Sequence, residues 1–145
     1  MLRSSILLSV SLAVGGCGAA SLQSVGRTTL NTAAAGVFAV DEVVADISEK
    51  EREKALNSSM SMEEYAAKVK PYDAAVDALV ATKDSIGVLY SALRTGDEGL
   101  TANGLACLGV SVTRLMDALV KIHVVVPTVL RKIPEAINAY GLVCR

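Results

Sequence analysis

Apolar side chains recur at alternating steps of three and four residues along most of this chain, the spacing that lines one face of an α-helix. The longest such run is Tyr65, Val69, Tyr72, Val76, Leu79, Lys83, Ile86, Tyr90 and Leu93, with Lys83 its single polar member. Ser61-Met62-Glu63-Glu64 precedes it in the pattern of a capping box, and Gly96 follows as a stop. Pro71 lies inside the run, removes a backbone donor and predicts a kink there. Upstream, Val37, Val40, Val44 and Ile47 mark a first helix, expected to begin between Thr28 and Asn31. Its end is the charge run Ser48-Glu49-Lys50-Glu51-Arg52-Glu53-Lys54, where Asp46–Lys50, Glu49–Arg52 and Glu51–Lys54 are helical neighbours of opposite sign. That run reads as a solvated helix end, with a charged docking surface as the sharper alternative. Downstream, Leu105, Leu108, Val112, Leu115, Leu119 and Ile122 mark a third helix beginning between Leu100 and Leu105. Val129, Ile133, Ile137 and Tyr140 mark a fourth, in which Pro134 is a break or the start of the longer half and Gly141 the end.

The predicted fold class is all-α: four helices in two antiparallel hairpins, bundle-like, in one domain. Helices of about 30 residues would make the first pair about 45 Å long, and the second pair is shorter. The His123-Val124-Val125-Val126-Pro127 segment is the expected turn of the second hairpin, because β-branched residues before a proline favour extended backbone. Composition narrows the picture further. A hydrophobic share of 52% excludes a disordered chain, and 3% aromatics argues against a β-sandwich. A net charge of −1 over 145 residues lacks the basic footprint of a nucleic-acid binder, so no nucleic-acid partner is expected. Arg114, Asp117 and Lys121 interrupt the Leu105–Val126 stretch and argue against a membrane span there.

The beginning of the chain follows a different logic. Arg3 supplies a positive start, Ile6 to Val14 is an apolar stretch of nine residues, and small residues follow. Nine helical residues cover about 14 Å, half the hydrocarbon core, so a cleaved signal is expected in preference to a permanent anchor. Val14-Gly15-Gly16-Cys17 resembles the lipobox of bacterial lipoprotein precursors, a resemblance confined to residues 1–18. It implies cleavage before Cys17, a diacylglyceryl group on the Cys17 thiol, and a palmitate-type chain on the new amino group. The alternative is ordinary secretion with cleavage near Ala19 or Ala20. On the lipoprotein reading, residues 1–16 are the signal peptide, 17–27 the lipidated Cys17 and a tether, and 28–145 a single helical domain. The membrane is then a partner through the lipid, on the periplasmic or extracellular side. Gly18 and Ala19, with no Asp after the cysteine, are permissive for the outer membrane in a Gram-negative source.

With Cys17 lipidated, Cys107 and Cys144 remain, and an even count in an exported chain suggests a disulfide. The alternative is two buried free thiols. Both cysteines lie equally far from the turn at Val125 and Val126, so an antiparallel hairpin of regular helices brings them together. A zinc site is disfavoured because His123 is the only histidine and no close cysteine pair exists.

The search for chemistry is mostly negative. Gly99 to Gly104 is followed by Leu105 and not by the Lys-Ser/Thr of a phosphate loop. No nucleophile turn accompanies His123, which reads as a turn or surface residue. Glu63 and Glu64 suit the first turn of a helix better than acid–base work. Tyr65, Tyr72 and Tyr90 read as core, and Gly104 and Gly109 as sites of close helix approach. No catalytic, cofactor-binding or metal-binding residue is expected. The expected function is that of a non-enzymatic cell-envelope lipoprotein whose helical domain serves a structural or protein-interaction role, with an envelope protein as partner. Two alternatives stand beside it: a module binding a small apolar ligand between helices, and a phage or mobile-element lipoprotein acting in lysis or superinfection exclusion.

Overall fold

The computed structural model describes residues 19–145. Four helices account for most of them: α1 (Ala19–Leu56), α2 (Met62–Thr95), α3 (Glu98–Lys121) and α4 (Thr128–Asn138). The protein is all-α, a helical bundle in which α1, α2 and α3 run up, down and up, and the short α4 packs against α1 and α3. Among the described residues α4 makes no contact with α2. The first two helices are the longer pair, at 38 and 34 residues against 24 and 11.

Local signals explain where the helices start and stop. Ser61 caps α2: its hydroxyl accepts from the Glu64 backbone N–H at 3.2 Å, and its own N–H donates to the Glu64 carboxylate at 2.7 Å. Gly96 ends α2 at φ 72°, a left-handed conformation that glycine adopts without Cβ strain. The next residue, Asp97, caps α3 by accepting from the Leu100 N–H at 2.8 Å, so the two helices meet in a two-residue turn. The third helix therefore begins at Glu98, earlier than its apolar pattern indicates. Pro71 lies in the third turn of α2, and the helix runs through it as one element.

Residues 18–27 were expected as a tether, but from Ala19 onward this stretch is the first part of α1. Gly26 and Thr29 are buried, and Gln23 donates across to the Thr101 hydroxyl at 3.4 Å. The stripe expected from Val37 to Ile47 thus extends back through Ala33, Thr29 and Gly26 in the same three-four steps.

Helix α2 carries two seams. Lys83 Nζ pairs with Asp41 at 2.7 Å and Arg52 with Asp73 at 2.5 Å, which identifies the face toward α1. That face holds the run Val69, Tyr72, Val76 and Leu79 read from the sequence. A second seam of smaller residues meets α3: Thr82 Oγ1 donates to the Ala78 carbonyl at 2.7 Å and approaches the Ser111 carbonyl at 3.2 Å, and the Ser85 and Ser111 hydroxyls are 2.7 Å apart. A Cβ placed on Gly104 would lie 3.2 Å from the Leu89 Cα, so this glycine sets how closely α2 and α3 approach. Leu89, Leu105, Leu108, Leu115 and Leu119 are fully buried between the helices. By length and composition α3 is the one described helix able to cross a membrane, yet half of its most apolar stretch is buried inside the bundle.

Leu89 has no solvent exposure and packs against Gly104, so Leu89→Ala is expected to cost about 2–5 kcal/mol of unfolding free energy. Lys83→Met breaks a half-exposed ion pair and is expected to cost under about 1 kcal/mol. Chemical denaturation of both variants checks this ordering. The capping box carries a pH signature as well. The Ser61 backbone N–H, and after it the Ser61 hydroxyl, hold the Glu64 carboxyl below the usual glutamate range. Stability from a depressed carboxylate is fully present above the unfolded-state pKa and disappears as pH falls through the folded one. Glu64→Gln retains an acceptor without the titration, so the melting-temperature advantage of the native chain over this variant should be present at pH 7 and close toward pH 3.

Candidate interaction surface

Of the three candidate sulfur positions, Cys17 lies outside the described residues. The other two are brought together: Cys107 on α3 and Cys144 beyond α4 lie at disulfide distance, with Cα atoms 4.6 Å apart. The route differs from two regular helices paired about Val125 and Val126. The fourth helix stops at Asn138, and its apolar face is Leu130, Ile133 and Ile137. Pro134 lies inside it, and Tyr140 and Gly141 belong to the turn that follows. Gly109 on α3 faces Ile137, and a Cβ there would lie 3.1 Å from the Ile137 side chain. Past Gly141, at φ 62°, the tail returns to α3, where the Arg145 N–H donates to Asn103 Oδ1 at 2.8 Å.

At the opposite end of the bundle stands the charge run. The α2–α3 contacts pair Thr82 with Ser111 and Leu89 with Gly104, a constant register that places Lys121 opposite Tyr72. Met62 to Pro71 therefore run past the end of α3, together with the last turn of α1. Lys50 pairs with Asp46 at 2.7 Å and Lys54 with Glu51 at 2.5 Å, as helical neighbours should. Arg52 does not pair with Glu49; it reaches across to Asp73 of α2 and ties the projecting hairpin together. Hydrogen bonding to Lys54 lowers the Glu51 pKa, and hydrogen bonding to Asp73 raises that of Arg52. Nearby, the Ser48 hydroxyl is buried without a partner.

No family model, curated protein or solved structure matches this chain. The surface has to be read from its own chemistry.

Three concavities bear on ligand binding. The largest, about 670 Å³, is an open groove on the outside of α2 and α3, lined by Gly87, Val88, Ser91, Ala92, Thr95 and Leu100 among others. A second, about 390 Å³, lies between α1 and α2 and is lined by Arg27, Leu30, Asn31, Tyr90, Leu93 and Arg94. Tyr90 was expected in the core; it is about half exposed, and the Arg94 guanidinium lies 5.9 Å from its ring centre. Tyr65 and Tyr72 are partly buried. The third groove runs between α3 and the tail, along Gly99, Ala102, Asn103, Leu142 and Val143. All three open to solvent at the margins of the bundle, and a leucine-rich core packs between the helices.

His123 is exposed in the turn after α3, at φ 59°, a left-handed backbone that a non-glycine residue adopts rarely. Among the described residues no three His, Cys, Asp or Glu side chains gather at metal-holding distance. The residues that sequence reasoning missed are Asp97, Asn103, Arg27 and Arg94. Asp97 directly before a Leu-rich period is an N-cap signal; the meeting of Arg27 and Arg94 in one groove has no local signature, because 67 residues separate them.

The link between Cys107 and Cys144 closes a loop of 37 residues. By the unfolded-chain entropy argument it contributes about 4 kcal/mol. Cys144→Ser, or reduction of the native protein, should lower the melting temperature by an amount that reflects a loss of this order. Calorimetry with and without reductant checks it, and the Cys144→Ser variant should no longer respond to reductant.

Proposed function

We propose that this chain is a lipid-anchored protein of the bacterial cell envelope, exported by its first sixteen residues and held by acyl chains on Cys17. Its helical bundle serves a non-enzymatic, protein-interaction role. The single observation that carries the reading is the sequence from Arg3 to Cys17: a positive start, nine apolar residues, and a cysteine behind Val14-Gly15-Gly16. Two features of the fold support it. The Cys107 and Cys144 sulfurs at disulfide distance suit an oxidising compartment outside the cytoplasm. The charged hairpin at the far end of α1 and α2 runs past the end of α3, where a partner can reach it.

Anchoring follows from lipid arithmetic. One acyl chain gives marginal membrane binding, and each buried methylene contributes about 0.8 kcal/mol, so two or three chains on Cys17 hold the protein durably. The proposed partner surface is the charged hairpin and the face of α1 and α2 at its base, where salt bridges hold Asp46, Lys50, Arg52 and Asp73 in defined places. An array of exposed ion pairs contributes little to folding and is well suited to selecting a partner by charge pattern.

Intact-mass measurement and fractionation of cells expressing the full chain test the anchor. The expected result is a chain beginning at Cys17 with added acyl mass, recovered with membranes. Cys17→Ser should abolish the added mass and release the protein from that fraction. An unmodified full-length chain would overturn the reading.

A further inference from the structure

We infer that the bundle end formed by the α2–α3 turn and the C-terminal tail rests on a phospholipid bilayer, with Leu100 and Val143 against its interfacial region and Arg27 and Arg94 directed to lipid phosphates. This rests on the anchored reading of Cys17 and adds to it an orientation and a contact surface.

Reach comes first. One residue, Gly18, separates Cys17 from Ala19, the first residue of α1. Two backbone steps span at most about 7 Å. Gln23 of α1 bonds Thr101 of α3; Ala19 is four residues before Gln23, and Glu98 is three before Thr101. The start of α1 and the α2–α3 turn therefore finish at nearly the same height. An acylated Cys17 brings both to the headgroup layer, with no tether to hold the bundle away.

What this end exposes fits that location. Leu100, on the first turn of α3, is 54% exposed, and Val143 is 70% exposed. Val143 is held in place by its neighbours in the tail, Cys144 linked to Cys107 and Arg145 bonded to Asn103. Asn103 borders both the groove containing Leu100 and the groove containing Val143, so the two apolar residues belong to one surface.

Charge is distributed in the same sense. Arg27 and Arg94 share a groove, and among the described residues neither forms a salt bridge. Tyr90 beside them is the kind of amphipathic ring that favours a membrane interface. The acidic residues of this end are Asp97, whose carboxylate accepts from the Leu100 N–H, and Glu98. Against these two stand Arg27, Arg94 and Arg145. On α1 and α2 from Asp41 through Asp84, by contrast, eleven carboxylates face six cations, and with Arg114, Asp117, Lys121, Arg131, Lys132 and Glu135 of α3 and α4 the rest of the bundle carries a net charge of −3. Within screening distance of an anionic surface the first group is attracted, which favours the pose that a short anchor at Cys17 already sets.

The chain contains no tryptophan, so single-tryptophan variants report on position. The acylated protein carrying L100W, V143W or M62W is placed in vesicles of phosphatidylcholine and phosphatidylglycerol with brominated acyl chains, its acyl mass is verified, and thermal melts confirm native folding. L100W and V143W should show blue-shifted emission, quenched several-fold more than that of M62W. Arg27→Glu with Arg94→Glu should reduce the L100W quenching in these vesicles. If L100W in acylated protein is as water-exposed and unquenched as M62W, the docking fails while the anchor stands. If it is shielded from aqueous quencher but untouched by brominated lipid, a protein or a second copy covers this end, and the inference is overturned. Absence of acyl mass removes the anchor and this inference together.

Discussion

The apolar stripe of α3 is wider than a single neighbouring helix can cover, and the bundle is organised around that constraint. Gly104 faces Leu89 of α2, and Gly109 faces Ile137 of α4. Five residues along a helix turn about 500°, which leaves these two glycines about 140° apart around the α3 axis. Each lets one neighbour come close, and α1 closes the space between them. The arrangement explains why α2 and α4 do not touch, although both pack against α3. It also explains why α3 has the composition of a membrane span: a helix enclosed on three sides needs apolar residues over most of its circumference.

The first helix meets its neighbours with small side chains. Gly26, Thr29, Ala33 and Gly36 are buried along its first half, and Val37, Val40 and Val44 along its second. A Cβ on Gly26 would stand 2.7 Å from Leu93, and Gly36 similarly receives the end of Leu130. The leucines of the other helices fill the volume that α1 leaves open, which preserves interior density without large residues on both sides. That division of labour makes the start of α1 hard to read. Small and hydroxyl residues at helical spacing give no hydrophobic period, and Ser24, Gly26 and Arg27 look like linker chemistry until Leu93 and Thr101 are placed against them.

Legibility elsewhere follows the same physics. The Ser61 box, the Gly96 stop and the long run from Val69 to Leu93 are local features, carried by a few adjacent residues, and each is where the sequence places it. The Cys107–Cys144 pairing was legible through hairpin symmetry, although the chain achieves it with a short helix and a returning tail. What local pattern could not supply is the second seam of α2. Ala75, Thr82 and Ala92 are buried there, and their small size permits the close approach to α3 that the Thr82 and Ser111 contact requires. Tyr90 kept the period of the first seam and still emerged half-exposed, because it lies where the α1–α2 interface opens into the Arg27 groove. The surface proposed for membrane contact was not legible at all: it joins residues from both ends of the chain.

A short anchor alters how much affinity such a surface needs. A domain attached a few ångströms from the bilayer samples it at an effective concentration on the order of millimolar or above, without the cost of bringing two molecules together. Partly burying Leu100 and Val143 then competes only against the rotational freedom of an already tethered bundle. At about 25 cal/mol per Å² of apolar area, even 60 Å² removed from water contributes about 1.5 kcal/mol, enough to favour one orientation roughly tenfold. Screening limits the arginine contribution to distances within about 8 Å at physiological ionic strength, so Arg27 and Arg94 act only once that end is already near the surface. The charged hairpin lies far beyond that range: 38 residues of α1 extend about 57 Å. The anchor therefore decides which end lies down, and apolar contact and charge refine the pose near the headgroups.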